Sequence, residues 1–308
     1  MRKGTFVSGP LSKKKVQQII ELGINEISLS WHNYDPDHVQ SLRTEGVRVF
    51  TEISLFAGKE WWGKYPDSRP IARDGNPMEP IHWYHGVCPN HPGVRKDHLQ
   101  TIDHIINDFN ADGIWLDFIR YPCHWEEVRS SDITEYCFCK VCREKFTAEV
   151  GERMQGSRWT QWKSAQITGF VREVYETIEM YGKEIQLGIF AVPWTPDDFH
   201  QGITRIIGQD FKALSSYVDV FGAMAYHKIM EKPVEWIGNI VSDIAGQTRK
   251  SVIPLVQSIS QPDRVSAEEF ASALSIGLQS SGEGVMVFHF EDMLEDEQKT
   301  QALQTLFT

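Results

Sequence analysis

Short runs of β-branched and aromatic residues alternate along the chain with stretches in which apolar side chains recur every three to four positions. The first pattern suits strands buried on both faces, and the second suits amphipathic helices. Eight strand-like runs can be drawn: Thr5 to Ser8, Glu26 to Ser30, Val47 to Ser54, Gly113 to Phe118, Ile185 to Ala191, Asp219 to Ala225, Ser251 to Gln257 and Gly284 to Phe290. A helical stretch follows each, as at Ser12 to Leu22 after the first and Ser266 to Gly277 after the seventh. Strict alternation predicts a parallel sheet, and eight units predict closure into one (β/α)8 TIM barrel. An open doubly wound sheet fits less well, because Gly9-Pro10-Leu11-Ser12 stands where a glycine-rich phosphate turn would follow the first strand. With no linker, repeat or low-complexity tract, residues 1–308 read as a single domain.

Two connections, Phe56 to Pro92 after the third strand and Ile119 to Lys145 after the fourth, are far longer than the usual two to six residues. Both fall on the face where barrels keep their chemistry. The first carries Trp61, Trp62, Tyr65, His82, Trp83, Tyr84 and His85, rings suited either to stacking on a sugar or to packing the loop down.

The fourth run, Asp112-Gly113-Ile114-Trp115-Leu116-Asp117-Phe118-Ile119-Arg120-Tyr121-Pro122, delivers a carboxylate and then a guanidinium to a strand's C-terminal end. Period-two alternation puts Gly113, Trp115 and Asp117 on the axis-facing side, with Phe50, Glu52 and Ser54 sharing a face of the third run and Val285, Val287, His289 and Glu291 one of the eighth. Converging carboxyls are the working parts of glycoside hydrolysis, one as nucleophile or base and the other as acid. Asp117 is the nucleophile candidate, with Arg120 holding it ionised. Glu291, aimed inward if the alternation holds, and Asp198 are the acid candidates, although Asp198 also fits a helix N-cap. Glu52 is a third option and equally fits contact with substrate hydroxyls. Trp31, His32, Trp115, Trp194, Tyr226, His227 and His289 are expected to touch substrate from strands and their ends.

A net charge of −11 argues against nucleic acid as a partner. No apolar run reaches the roughly 18 residues needed to cross a bilayer, and no signal peptide is legible, so the expectation is a cytoplasmic protein with a carbohydrate substrate and no membrane partner. Five cysteines, three of them within six residues, suit a metal site better than a disulfide framework.

The segments Gly86 to Arg95, Asp117 to Pro122, Cys137 to Phe146 and Val218 to Tyr226 resemble the hypothetical glycosyl hydrolase barrels related to the α-amylase and α-galactosidase type. That resemblance implies a retaining glycosidase with Asp117 as nucleophile. The cysteines resemble the zinc cluster of family 42 β-galactosidases, which implies Cys88, Cys137, Cys139 and Cys142 as ligands. Four thiolates fill a tetrahedral Zn²⁺, so the ion is structural and no cofactor is expected for catalysis. Cys123, outside the set and beside His124, reads as a small packed residue. The zinc-bearing galactosidases are often trimeric, so a homo-oligomer is an open expectation. Their catalytic pattern is not reproduced: Glu126 or Glu127 matches the glutamate after the fourth strand, but the seventh strand ends Val256-Gln257-Ser258. The chitinase pattern Asp-Gly-x-Asp-x-Asp-x-Glu fails too, with Ile119 in the place of its acid. A barrel that binds carbohydrate without cleaving it is the alternative.

Overall fold

A computed structural model describes residues 1–308 except 152, 261 and 262. Eight parallel strands close in chain order: β1 (Arg2–Val7), β2 (Glu26–Ser30), β3 (Arg48–Ser54), β4 (Gly113–Asp117), β5 (Gln186–Ala191), β6 (Val220–Ala223), β7 (Ser251–Gln257) and β8 (Gly284–Phe288), with β8 paired back onto β1. The predicted (β/α)8 barrel is therefore the observed fold, and strand ends differ from expectation by a few residues at most. Helices over Lys13–Glu21 and Ala267–Ser281 match the two drawn from the sequence; Ser266 and Glu269 form a reciprocal capping box on the second.

Aromatic rings fill the barrel interior. Phe50 and Trp115 lie 5.6 Å apart, and Trp115 stacks on Phe190 at 4.8 Å. Large rings on adjacent strands need empty space opposite, and glycines supply it. A Cβ at Gly113 would lie 2.1 Å from the Phe50 ring, and one at Gly188 would lie 2.4 Å from Trp115. The N-terminal mouth is plugged by Glu26, which pairs with Arg2 at 3.5 Å and with Arg48 at 3.3 Å. The C-terminal mouth is left for ligands.

Alternation holds on β3 and β4 but not as expected on β8. A Cβ on Gly277 of the flanking helix would lie 2.9 Å from the Val285 side chain, whereas Phe288 packs on Phe6 at 5.4 Å. Val285 and Val287 thus face the helices. The strand stops at Phe288, and a helix (Phe290–Leu294) begins two residues on, so Glu291 is helical and not a strand-end carboxyl. Among the described residues, no helix is long and apolar enough to cross a membrane.

Candidate active site

At the C-terminal mouth lies a cavity of about 1020 Å³. Asp117, the last residue of β4, opens into it. Its Oδ1 accepts the Phe118 amide at 2.6 Å, and Arg120 Nη1 lies 3.9 Å from the same oxygen. Phe118 takes φ +48°, a left-handed conformation costly for a bulky residue. This tight turn folds Arg120 back, with its amide on the Phe118 carbonyl at 2.8 Å and its guanidinium 4.5 Å above the Phe118 ring. Arg120 is buried, and its Nε and Nη1 have no hydrogen-bond partner among the described residues.

Burial raises the Asp117 carboxyl to about 6; Arg120 and the Phe118 amide oppose that rise, and Glu126 adds to it. Glu126 lines the same cavity from the loop after β4. Its Oε2 is screened from solvent and has no hydrogen-bond partner among the described residues, and burial raises its carboxyl against the pull of Arg120. His124 stands between two glutamates, with Nε2 3.9 Å from Glu126 and Nδ1 3.4 Å from Glu127. His82 closes this row at 3.2 Å from Glu127. Beneath Asp117, Glu52 is buried on the inner face of β3, one register step down, where Ser54 pairs with Asp117 and Glu52 with Trp115. Burial, reinforced by the Asp117 charge, pushes Glu52 well above the carboxylate range.

The other expected site residues part company here. Tyr226 lines the cavity, its ring 5.0 Å from Phe288. Glu291 lies outside it: Lys15 at 2.6 Å and the Ser8 amide and hydroxyl occupy its oxygens, and these partners outweigh burial to hold it below its usual range. Asp198 turns back on its own loop, accepting from the Thr195 amide at 2.7 Å and hydroxyl at 2.9 Å. Trp115 is enclosed in the barrel, and Trp194 is buried against Phe199 at 4.6 Å. Trp31 and His32 pack against each other with tilted rings 3.9 Å apart, outside the cavity wall. Buried His227 reaches Glu269 at 3.1 Å, and His289 lies 2.8 Å from Asp292.

In the long loop after β3, most rings pack the loop down. Trp62 donates to the Gly86 carbonyl at 2.9 Å, and Trp61 lies parallel to Tyr65 and tilted against His98 at 4.5 Å. Trp83 is the exception: it is 63% exposed, lines the cavity, and stands edge-on to Phe118 and His124. Glu126 was legible only as one of two adjacent glutamates beside a buried Trp125, since a loop carries no period to say which side chain turns inward.

The sulfurs of Cys88, Cys137, Cys139 and Cys142 lie within 4.8 Å of one another, all in buried residues. Cys88 is 3.6 Å from Cys139 and 3.5 Å from Cys142. Bonds of about 2.3 Å from a tetrahedral zinc would place sulfurs roughly 3.8 Å apart, so the four residues fit a closed metal site. Asn90 Nδ2 donates to Cys142 Sγ at 3.3 Å and to the Tyr121 hydroxyl at 2.8 Å. Around the cluster, Cys88 N bonds to Ser68 O within the first long loop, and Phe138 N bonds to Ile71 O across to it from the second, so the two loops are already knitted together. Lys163, fully buried on the helix Gly156–Tyr181, holds Glu135 at 2.8 Å beneath them. Cys123 is apart from the set, and burial pushes its thiol up to about 12.

No protein-family model matches the chain, and no curated protein matches it either. Solved structures do match in fold. The glycoside hydrolase domain of PgaB (BpsB) from Bordetella bronchiseptica superposes with a TM-score of 0.74 at 11% identity, covering 100% of this chain and 99% of that one. A β-galactosidase from Marinomonas ef1 gives 0.71 at 8% identity, covering 100% of this chain but 59% of its own. A chitinase from Chromobacterium violaceum gives 0.59 at 10% identity over 98% of both. The chain shares its barrel with these glycosidases, and at these identities the likeness is one of fold.

Proposed function

We propose that the protein hydrolyses a glycosidic bond by a retaining mechanism, with Asp117 as nucleophile and Glu126 as acid and base. The observation that carries this is two carboxyls of raised pKa on one cavity, sharing the charge of a buried arginine. The Phe118 amide holds Asp117 Oδ1, which leaves Oδ2 to attack the anomeric carbon. As that C–O bond breaks, Glu126 gives its proton to the leaving oxygen. Water then adds to the same carbon, returning its proton to Glu126 and freeing Asp117. Arg120 keeps Asp117 ionised and offsets charge while the proton moves. Trp83 offers its face to the sugar ring. Glu52 serves below, as a neutral carboxyl supporting the Asp117 position. Zn²⁺ on the four cysteines would tie the loops that carry Trp83 and Glu126, a structural part outside the chemistry.

A panel of aryl glycosides, turned over by wild type, Asp117→Asn and Glu126→Ala, tests the assignment. Asp117→Asn should lose at least about a thousandfold in kcat while still binding. Glu126→Ala should keep activity only toward leaving groups that need no proton, with added azide speeding its second step. A carbohydrate-binding barrel would show no turnover in any form. Equal losses for good and poor leaving groups in Glu126→Ala would remove Glu126 from the acid role.

A further inference from the structure

The cavity is polar chiefly on one side. Asp117 ends β4 and Arg120, Glu126, Glu127 and Arg129 follow it in the chain, with His82 beside them. The rest of the wall is largely apolar, built by Phe6, Phe190, Met224, Ile229, Ile259 and Phe288 on β1, β5 and β8 and just after β6 and β7. Sugar hydroxyls withdrawn from water need replacement partners, because an unmade hydrogen bond in a buried site is costly.

Polar side chains do occur on that side, but they are engaged elsewhere. Gln257 bonds to the Ile229 amide and the Ile259 carbonyl, Ser258 to the His289 carbonyl, and His227 to Glu269. Glu291 and Asp198 are held by Lys15 and Thr195. Tyr226 is the polar ring on this wall, between Phe288 at 5.0 Å and Trp125 at 6.0 Å. A sugar ring placed over Phe190 and Phe288 would find stacking but, among the described side chains lining that wall, only the Tyr226 hydroxyl for its edges. At about 1020 Å³ the cavity sits at the top of the roughly 300–1,000 Å³ range for drug-sized ligands, which leaves room beyond one ring.

We infer that the apolar side receives the leaving group, and that the substrate is a glycoside of an alkyl or aryl alcohol and not a polysaccharide. The inference rests on the glycosidase reading given above. The sugar lies against Trp83 and the carboxyls, and the alcohol carbon skeleton lies over Phe6, Phe190 and Phe288. The reaction consumes one water: its hydroxyl goes to the anomeric carbon, the Glu126 proton goes to the alcohol oxygen, and the second water proton restores Glu126.

Calorimetric titration of Asp117→Asn with matched methyl and hexyl glycosides of a panel of sugars, with hexan-1-ol and with disaccharides, tests this. Each methylene withdrawn from water favours binding, so the hexyl compound should bind at least tenfold more tightly than the methyl compound of the same sugar. Adding Ile259→Asn, a half-buried position at the cavity wall, should cut that ratio to threefold or less. Hexyl and methyl compounds binding alike, or a disaccharide binding more tightly than any hexyl glycoside, would overturn the inference and leave the glycosidase reading standing. Hexan-1-ol binding as tightly as every hexyl glycoside would overturn both, since no sugar would then be recognised.

Discussion

Asp117 and Glu126 carry opposite requirements, and burial sets both. Asp117 must be ionised to attack, so turnover should fall as pH drops through about 6, the value to which burial raises it. Glu126 must be protonated, so turnover should fall again as pH rises through its own raised value. The assigned roles require Glu126 to ionise at a higher pH than Asp117; a bell-shaped kcat/KM profile tests that order, and Glu126→Gln should lose the alkaline limb while keeping the acid one. A single acid limb near 4 in the wild type would contradict this. Glu52 gives a stability signature of its own. Below its ordinary value of 4.5 the carboxyl is neutral both folded and unfolded. As pH rises the unfolded chain ionises it and the folded chain does not, so folding loses about 1.4 kcal/mol per unit until the buried group ionises too. Glu52→Gln, measured by calorimetry from pH 4 to 8, should therefore gain on the wild type steadily with pH. A difference independent of pH would mean that Glu52 has a charged partner. Asp117 and Glu52 could be placed from sequence because strand periodicity reports facing. Glu126 could not be singled out, and Glu291 was misplaced because β8 presents Met286 and Phe288, not its valines, to the axis.

Among the elements, the cysteine-bearing loop is the best-marked in the sequence and the helix beneath it the least. Three cysteines in six residues leave few readings, and the structure brings the distant Cys88 to them. Lys163 gives no such signal, since lysine on a helix ordinarily faces water. Here it is sealed between Glu135, the Tyr136 carbonyl, the Arg205 carbonyl, and the rings of Tyr121 and Trp159. Burial lowers its pKa while Glu135 works to restore it. Lys163→Met would leave the Glu135 charge to Arg73 alone, which holds its other oxygen at 2.6 Å, and should cost about 3 kcal/mol in denaturant unfolding. Adding Glu135→Gln should recover more than half of that. If the double variant is no better than the single, the pair is not the source of the loss.

At the scale of the whole molecule, the barrel and its two long loops differ in what holds them. Ladder pairing and ring packing stabilise the barrel, a design countable from eight alternating units before any coordinates. The loops rest on a few bonds, the buried lysine and the thiol cluster. Metal analysis should find one zinc per chain. Chelation, followed by hydrogen exchange, should speed exchange across residues 57–91 and 118–150 and leave the eight strands protected. Exchange accelerating evenly over the strands would show that the metal supports the barrel itself.

Ten tryptophans would ordinarily make the emission of such a protein hard to interpret, yet nine of them are buried or half-buried and Trp83 alone stands open among the described residues. A small water-soluble quencher such as iodide will therefore collide chiefly with that one indole. Because the ring sits at the cleft entrance, a bound ligand shields it, and occupancy can be followed in unlabelled protein by light alone.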